Sequence, residues 1–190
     1  MIINSLQNEK IKNMVKLLKS SGERHKQGLF TVEGFREIRL AIAAKTEIIS
    51  LFYCLTLTKK PLTPLNLAPE KIIELAPKVF KKLSIRENPD GFLVLAKMKD
   101  LKLSDIKLDV NPLVIILEAI EKPGNLGAIL RTADAAGADA VIINEAKTDI
   151  YNPNVIRASQ GTIFTVPVVI ATRQTTRQWC DKNKIEVFAT

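Results

Sequence analysis

The sequence predicts an α/β protein whose later half is a parallel sheet. Three observations carry this. Residues 113–143 read as an apolar run, a turn, a helix and a second apolar run. Apolar segments alternate with helical ones along most of the chain, the pattern of strands covered by helices. Hydrophobic residues make up 46% of the 190, ample for a sizeable core.

The stretch 113–143 organises the rest. Residues 113–117 are continuous, apolar and partly β-branched, as a buried strand requires. Glu121-Lys122-Pro123-Gly124 is a turn. Asn125 is an N-cap residue type, since its side-chain oxygen can accept an amide hydrogen bond from the first turn. The helix is predicted to run to about residue 136, where Gly137 supplies the left-handed conformation that closes helices. Residues 140–143 form the next strand. A strand, a helix and a strand in this order imply parallel pairing with a right-handed crossover.

Helical spacing of Ile11, Met14, Val15 and Leu18 predicts a helix over 7–20 with lysines on its outer face. The polar segment 20–29, with Arg24, His25 and Lys26, reads either as a flexible basic loop that meets phosphates or as a solvated connection. A strand is expected at 30–32, an amphipathic helix at 34–44 and a strand at 48–54. Residues 55–67 are a loop, because Lys60-Pro61 and Thr63-Pro64 remove ladder donors. Residues 72–75 are a strand or short helix, and 77–83 a helix that starts on its proline. Asn88-Pro89-Asp90-Gly91 is a turn before a strand at 92–96. Residues 97–110 are charged and weakly periodic and serve as the linker. These readings place a first domain over 1–108, linker included, and a second over 109–190. In the latter half, a short helix capped by Asn154 or a neighbour carries Arg157 and Ser159. A strand at 164–170, a helix at 175–183 and a strand at 185–189 follow.

Composition excludes several classes. No long uncharged apolar run is present, so a membrane span is not expected. The N-terminus lacks the order of a signal peptide. Two distant cysteines and one histidine give neither a disulfide framework nor a metal site. A reduced, cytoplasmic protein without metal is the expectation. The formal net charge of +8 suits a partner with a phosphate backbone, although a lysine-rich soluble surface gives the same sum.

A glycine-bearing strand-to-helix turn gathers backbone N–H groups and the positive end of a helix, which suits an anion. Arg131 lies farther along that helix between the small residues Gly127, Ala128, Ala133 and Ala135. From composition alone, a solvated helix arginine is the plainer reading. The string Pro123-Gly124-Asn125-Leu126-Gly127-Ala128-Ile129-Leu130-Arg131-Thr132-Ala133, however, resembles the first signature motif of the SpoU/TrmH family of RNA methyltransferases, within the SPOUT class. Neither the dinucleotide-binding glycine spacing nor a P-loop ending is present. Two further stretches resemble the same family. Lys26-x-Gly28-x-Phe30-x-Val32-Glu33-Gly34 is similar to the opening of its accessory substrate-binding domain, a small L30e-like α/β sandwich. Arg157-Ala158-Ser159-Gln160-Gly161 with Phe164 is similar to a segment lining the active-site side of the knotted domain. Ser159 and Gly161 read equally well as helix-end residues.

The resemblance implies an L30e-like domain followed by an α/β trefoil-knot methyltransferase domain, a homodimer, and transfer of a methyl group from S-adenosylmethionine to a ribose 2′-hydroxyl of rRNA or tRNA. Arg131 matches the catalytic arginine and Asn125 the motif asparagine. Arg157, Ser159, Arg24 and Lys26 are the candidates for RNA contact. Lys122 stands where an aspartate is common. The family's two later motifs, which bind the methyl donor and close the knot, are not found before Thr190. The expectation is therefore a C-terminally truncated chain lacking most of its donor site, and no cofactor-binding residue is assigned. Two other readings stand beside the enzyme: a non-catalytic RNA-binding or ribosome-assembly protein, and a nucleotide-binding α/β enzyme unrelated to RNA.

Overall fold

In chain order, the elements of the computed structural model, which describes residues 2–58 and 60–189, are as follows. Strand β1 (Ile2–Ile3) is followed by α1 (Glu9–Lys19), α2 (Ser21–Gln27), β2 (Leu29–Glu33), α3 (Phe35–Ala43) and β3 (Ile48–Tyr53). Next come β4 (Ile72–Leu75), α4 (Pro77–Leu83) and β5 (Phe92–Lys97). The latter half holds β6 (Val114–Glu118), α5 (Pro123–Ala135), β7 (Ala140–Asn144), α6 (Pro153–Ala158), β8 (Val168–Ala171) and α7 (Arg173–Lys182).

The strands form two sheets. The first has five strands in the order β1-β4-β3-β5-β2. Its β1, β4 and β3 run parallel, and β5 pairs antiparallel with both β3 and β2. The second has the order β6-β7-β8 and is parallel throughout, with Val114 opposite Ala140 and Val141 opposite Val168. The parallel sheet expected around residues 113–143 is therefore present.

Period-two alternation divides the first sheet's side chains. Leu93 and Phe52 join Ile11, Met14, Val79 and Phe80 on the face covered by α1 and α4. Phe30, Val32, Phe92 and Val94 point the other way, into a cluster with Leu126, Tyr151, Val155, Ile163 and Val166. One apolar core thus joins the two sheets. Rings of Phe30 and Tyr151 meet there with centroids 4.5 Å apart.

Several expectations need correction. Residues 21–27 are a helix rather than a loop or simple connection. Ser20 accepts a hydrogen bond from the Glu23 amide, and Gly28, at φ 65°, closes the far end. Helix α5 begins one turn earlier than Asn125 would set it. Its N-cap is Lys122, and Pro123 takes the first position, where its missing N–H costs nothing. Helix α6 is capped by Asn152, whose side chain accepts from the Asn154 amide, and Ser159 lies past its end as C-cap. The strand expected from 164 starts at Val168, because 162–164 is a 3-10 turn that leads into Pro167. Residues 185–189 form no strand: no ladder partner lies beside them among the described residues, and Phe188 is exposed. The short β1 escaped sequence reading, since two isoleucines carry no period.

Candidate functional site

The turn after β6 and the start of α5 carry the residues with chemistry. Helix α5 has no side-chain cap, so its first N–H groups remain open to an anion. Asn125 is in the first turn and exposed. Arg131, two turns along, is also exposed, and among the described residues it has neither ion pair nor hydrogen-bond partner. A guanidinium left uncommitted on a rigid helix keeps its full fork for a phosphate.

A small residue lets that helix pack closely on its neighbour. Gly127 faces α6 so closely that a Cβ there would stand 2.7 Å from the Ala158 carbonyl carbon and the Ser159 nitrogen. This contact puts Arg157 of α6 on the helix packed against α5. Arg157 is exposed, and its Nη1 donates to the Ile85 carbonyl at 3.4 Å. Ser159 is not at the surface. It is fully buried, its Oγ donates to the Ile156 carbonyl at 2.9 Å, and it accepts from the Gly161 amide at 3.3 Å. Its hydroxyl is spent on closing α6, so a direct RNA contact is corrected to a helix-end role.

Arg24 is corrected likewise. Its side chain is 3% exposed and bonds Asp149 at 2.7 Å through Nε and 2.6 Å through Nη2. Nη1 donates to the Leu17 carbonyl at 2.6 Å. Such a residue ties the two sheets together and is not available to phosphate. Lys26, on the same short helix, is exposed. His25 Nε2 lies 3.7 Å from Asp149 Oδ1.

Glu118 and Glu121 behave as surface carboxylates. Glu118 pairs with Arg173 at 2.7 Å and Glu121 with Lys147 at 2.7 Å. Hydrogen bonding from Lys147 lowers the Glu121 pKa and raises that of the lysine. At the carboxyl ends of β7 and β8 a cleft of about 590 Å³ is lined by Glu145, Lys147, Ile170 and Thr172. Open α/β sheets hold ligands at this edge. Ile170 is 49% exposed there, an apolar face for a purine, and Glu145 offers a carboxylate for ribose hydroxyls. Adenosine chemistry fits this pair. Among the described residues no cluster of three metal-ligating side chains exists, and no helix is long and apolar enough to cross a membrane.

Sequence reasoning missed Arg36, Lys60 and Arg86, which line one groove with Arg157. The first three come from separate segments, so no spacing revealed them.

An α/β chain with two sheets, an uncapped helix at a strand's carboxyl end and an uncommitted arginine on that helix defines an anion-binding class of fold. Comparison with known proteins makes it particular. Residues 112–190 match the SpoU rRNA Methylase family, and residues 8–94 match the MRM3-like substrate binding domain. The 23S rRNA (guanosine(2553)-2′-O)-methyltransferase RlmP of Bacillus subtilis is 29% identical over 97% of this chain and 69% of its own length. The mitochondrial rRNA methyltransferase 3 of Mus musculus is 30% identical over 84% of this chain, which spans 39% of it. A crystal structure of an RNA 2′-O ribose methyltransferase is 34% identical, with a TM-score of 0.77 over 97% of this chain and 70% of that one. The AdoMet-bound rRNA methyltransferase from Sinorhizobium meliloti is 25% identical, with a TM-score of 0.85 over 98% of this chain and 70% of that one. The chain belongs to the SpoU/TrmH family of RNA methyltransferases.

Proposed function

We propose that this protein transfers a methyl group from S-adenosylmethionine to a ribose 2′-hydroxyl of ribosomal RNA, or of transfer RNA. The observation that carries the reading is Arg131, exposed and without a partner on the helix that opens at the end of β6. A neutral hydroxyl is a poor nucleophile, so its proton must pass to solvent water as the oxygen bonds to the methyl carbon, the donor's carbon–sulfur bond breaks and S-adenosylhomocysteine leaves. Arg131 binds the phosphate beside the target ribose and stabilises the negative charge that grows on the oxygen. It does not serve as the base, because a guanidinium stays protonated. Asn125, in the exposed first turn of α5, orients the substrate at that helix end. When bound, the cofactor would supply an electrophilic methyl group, and Glu145 and Ile170 would hold part of its adenosine.

On this reading, residues 1–108 are the RNA-binding domain with its linker, and 109–190 belong to the methyltransferase domain. Lys26 and Arg157 contact RNA phosphate. The protein acts in the cytoplasm as a homodimer. A second reading, RNA binding without catalysis, is favoured by the five-stranded sheet, which with α1, α3 and α4 has helices on both faces without needing the donor cleft. The test is methyl transfer from radiolabelled S-adenosylmethionine to ribosomal and transfer RNA, followed by nucleoside digestion and mass spectrometry. A 2′-O-methylnucleoside supports the enzyme. RNA binding with no label incorporated supports the second reading.

A further inference from the structure

The Glu33-Gly34 pair at the end of β2 builds a pedestal for a cation. The Glu33 carboxylate accepts from Ser84 Oγ at 2.5 Å and from the Ile85 amide at 2.8 Å, which fixes the segment after α4. The next residue, Arg86, donates Nη2 to the Glu33 carbonyl at 3.0 Å and pairs through the same nitrogen with Glu37 at 2.7 Å. Gly34, at φ 109°, leaves the room: a Cβ there would collide with both the Arg86 guanidinium and the Glu37 carboxylate. Arg86 Nε is buried and has no hydrogen-bond partner among the described residues.

Arg86 lines a groove of about 530 Å³ together with Arg36, Lys60 and Arg157. Arg36 belongs to the five-stranded half and Arg157 to the other, and each reaches across. Arg36 Nη1 donates to Gln160 Oε1 at 3.0 Å, and Arg157 Nη1 donates to the Ile85 carbonyl. Lys60 Nζ stands 4.8 Å from the centroid of the Phe35 ring. All three partners are neutral, so none of these three cations is held in an ion pair among the described residues. The four cations of the groove outnumber its three carboxylates, Glu37, Glu87 and Asp90, by one. Glu37 is committed to Arg86, and Asp90 accepts from the amides of Phe35 at 2.8 Å and Phe92 at 3.3 Å. Glu87 alone among the groove's described carboxylates is exposed and without a partner.

Like charges gathered at close quarters repel unless an anion joins them, and guanidinium forks match phosphate oxygens in pairs. We propose that this groove is a clamp for a backbone phosphate of the bound RNA, closed by Arg36 from one half of the chain and Arg157 from the other. Arg86 and Lys60 set the charge of its floor and rim. The proposal rests on the RNA-methyltransferase reading and adds where the strand is gripped away from the reacting ribose. Since α6 packs on α5 at Gly127, a phosphate held by Arg157 also sits in fixed relation to the helix of Arg131.

The test is fluorescence anisotropy of a labelled single-stranded RNA across a potassium chloride series. Arg36→Gln/Arg157→Gln is compared with Lys10→Gln/Lys78→Gln, which removes the same charge from exposed positions on α1 and α4, across the five-stranded sheet from α3. Thermal melting checks that each variant is folded. Should the glutamine pair melt early, Arg36→Lys/Arg157→Lys carries the test, since it keeps the charge and loses the fork. The clamp requires that the groove pair weaken binding at least about tenfold more than the lysine pair. The slope of log affinity against log salt should flatten by about 0.7 for each phosphate that the variant no longer neutralises. The lysine variant of the clamp should keep that slope yet bind more weakly than the unaltered protein. Equal weakening by the two glutamine pairs would show that only total charge matters and would overturn the clamp. RNA binding untouched by the groove pair overturns the clamp alone, whereas no RNA binding by the unaltered protein overturns the clamp and the RNA reading together.

Discussion

Arg24 and Asp149, 125 residues apart in sequence, form a two-nitrogen ion pair at 2.6 and 2.7 Å with both side chains almost fully buried. The pair joins the helix before β2 to the segment after β7. Asp149 Oδ1 also accepts from the Tyr151 amide at 2.8 Å, so one carboxylate holds both the arginine and the turn into α6. Replacing Arg24 by methionine strands a buried charge. The expected cost is about 3–5 kcal/mol, read from urea unfolding. Arg24→Met/Asp149→Asn should recover part of it, because no uncompensated charge remains. A single variant as stable as the parent would mean that the pair does not hold the halves together.

Two glycines of α5 should respond with opposite signs. A Cβ on Gly127 meets the backbone of Ala158 and Ser159, which cannot move without separating the helices. Gly127→Ala is expected to destabilise by roughly 1–3 kcal/mol despite alanine's better helix propensity. A Cβ on Gly124 meets nothing within 4 Å. Gly124→Ala should stabilise by up to about 1 kcal/mol. Thermal melts of the two variants decide it, and a shared sign would contradict the close packing of α5 on α6.

Glu33 gives a pH dependence of a particular direction. Burial raises its pKa above the ordinary 4.5, and the hydrogen bonds from Ser84 and Ile85 offset this only in part. As pH rises past 4.5, the unfolded chain releases the proton first while the folded chain retains it. The Glu33 contribution to stability therefore falls with rising pH until the folded carboxyl also ionises. The stability of the parent minus that of Glu33→Gln should decline across this interval in denaturant titrations at successive pH values. A rising difference would mean that the hydrogen bonds dominate burial.

Arg131 separates chemistry from folding. It is exposed and has no partner among the described residues, so Arg131→Ala should change stability by no more than about 0.5 kcal/mol. Methyl transfer should fall about 10²–10³-fold, as expected for losing one preorganised charge at a developing oxyanion. RNA affinity measured by anisotropy should fall far less than turnover, by the loss of one phosphate contact among several. Undiminished turnover would exclude the proposed role.

The sequence made the β6-α5-β7 unit legible because its apolar runs, turn and closing glycine agree on one answer. Helix α2 was not legible by period: its one buried residue is Arg24, so it has no apolar stripe. Its signals were at the ends instead, Ser20 before Glu23 and Gly28 after Gln27. Arg157 is singled out in the sequence by the family-like stretch around it, yet the groove beside it is not legible there, since Arg36, Lys60 and Arg86 are assembled by tertiary contacts. Ser159 reads two ways for the converse reason, and its buried hydroxyl closes the helix end. A serine two residues before a glycine reads the same whether its hydroxyl faces solvent or closes a helix.

The apolar cluster that includes Phe30, Val94, Leu126, Tyr151 and Val166 belongs to neither sheet alone. Its removal from water stabilises the two halves as one cooperative unit. Amide protons in the middle of β5 and of β7 should then exchange through a common global opening, with matching free energies and matching dependence on denaturant. Separate expression of the segments 8–94 and 112–190 would leave Phe30 and Tyr151 facing water on two surfaces that seek each other. Complementation of the two pieces, rather than independent folding of either, is the behaviour such a shared core favours.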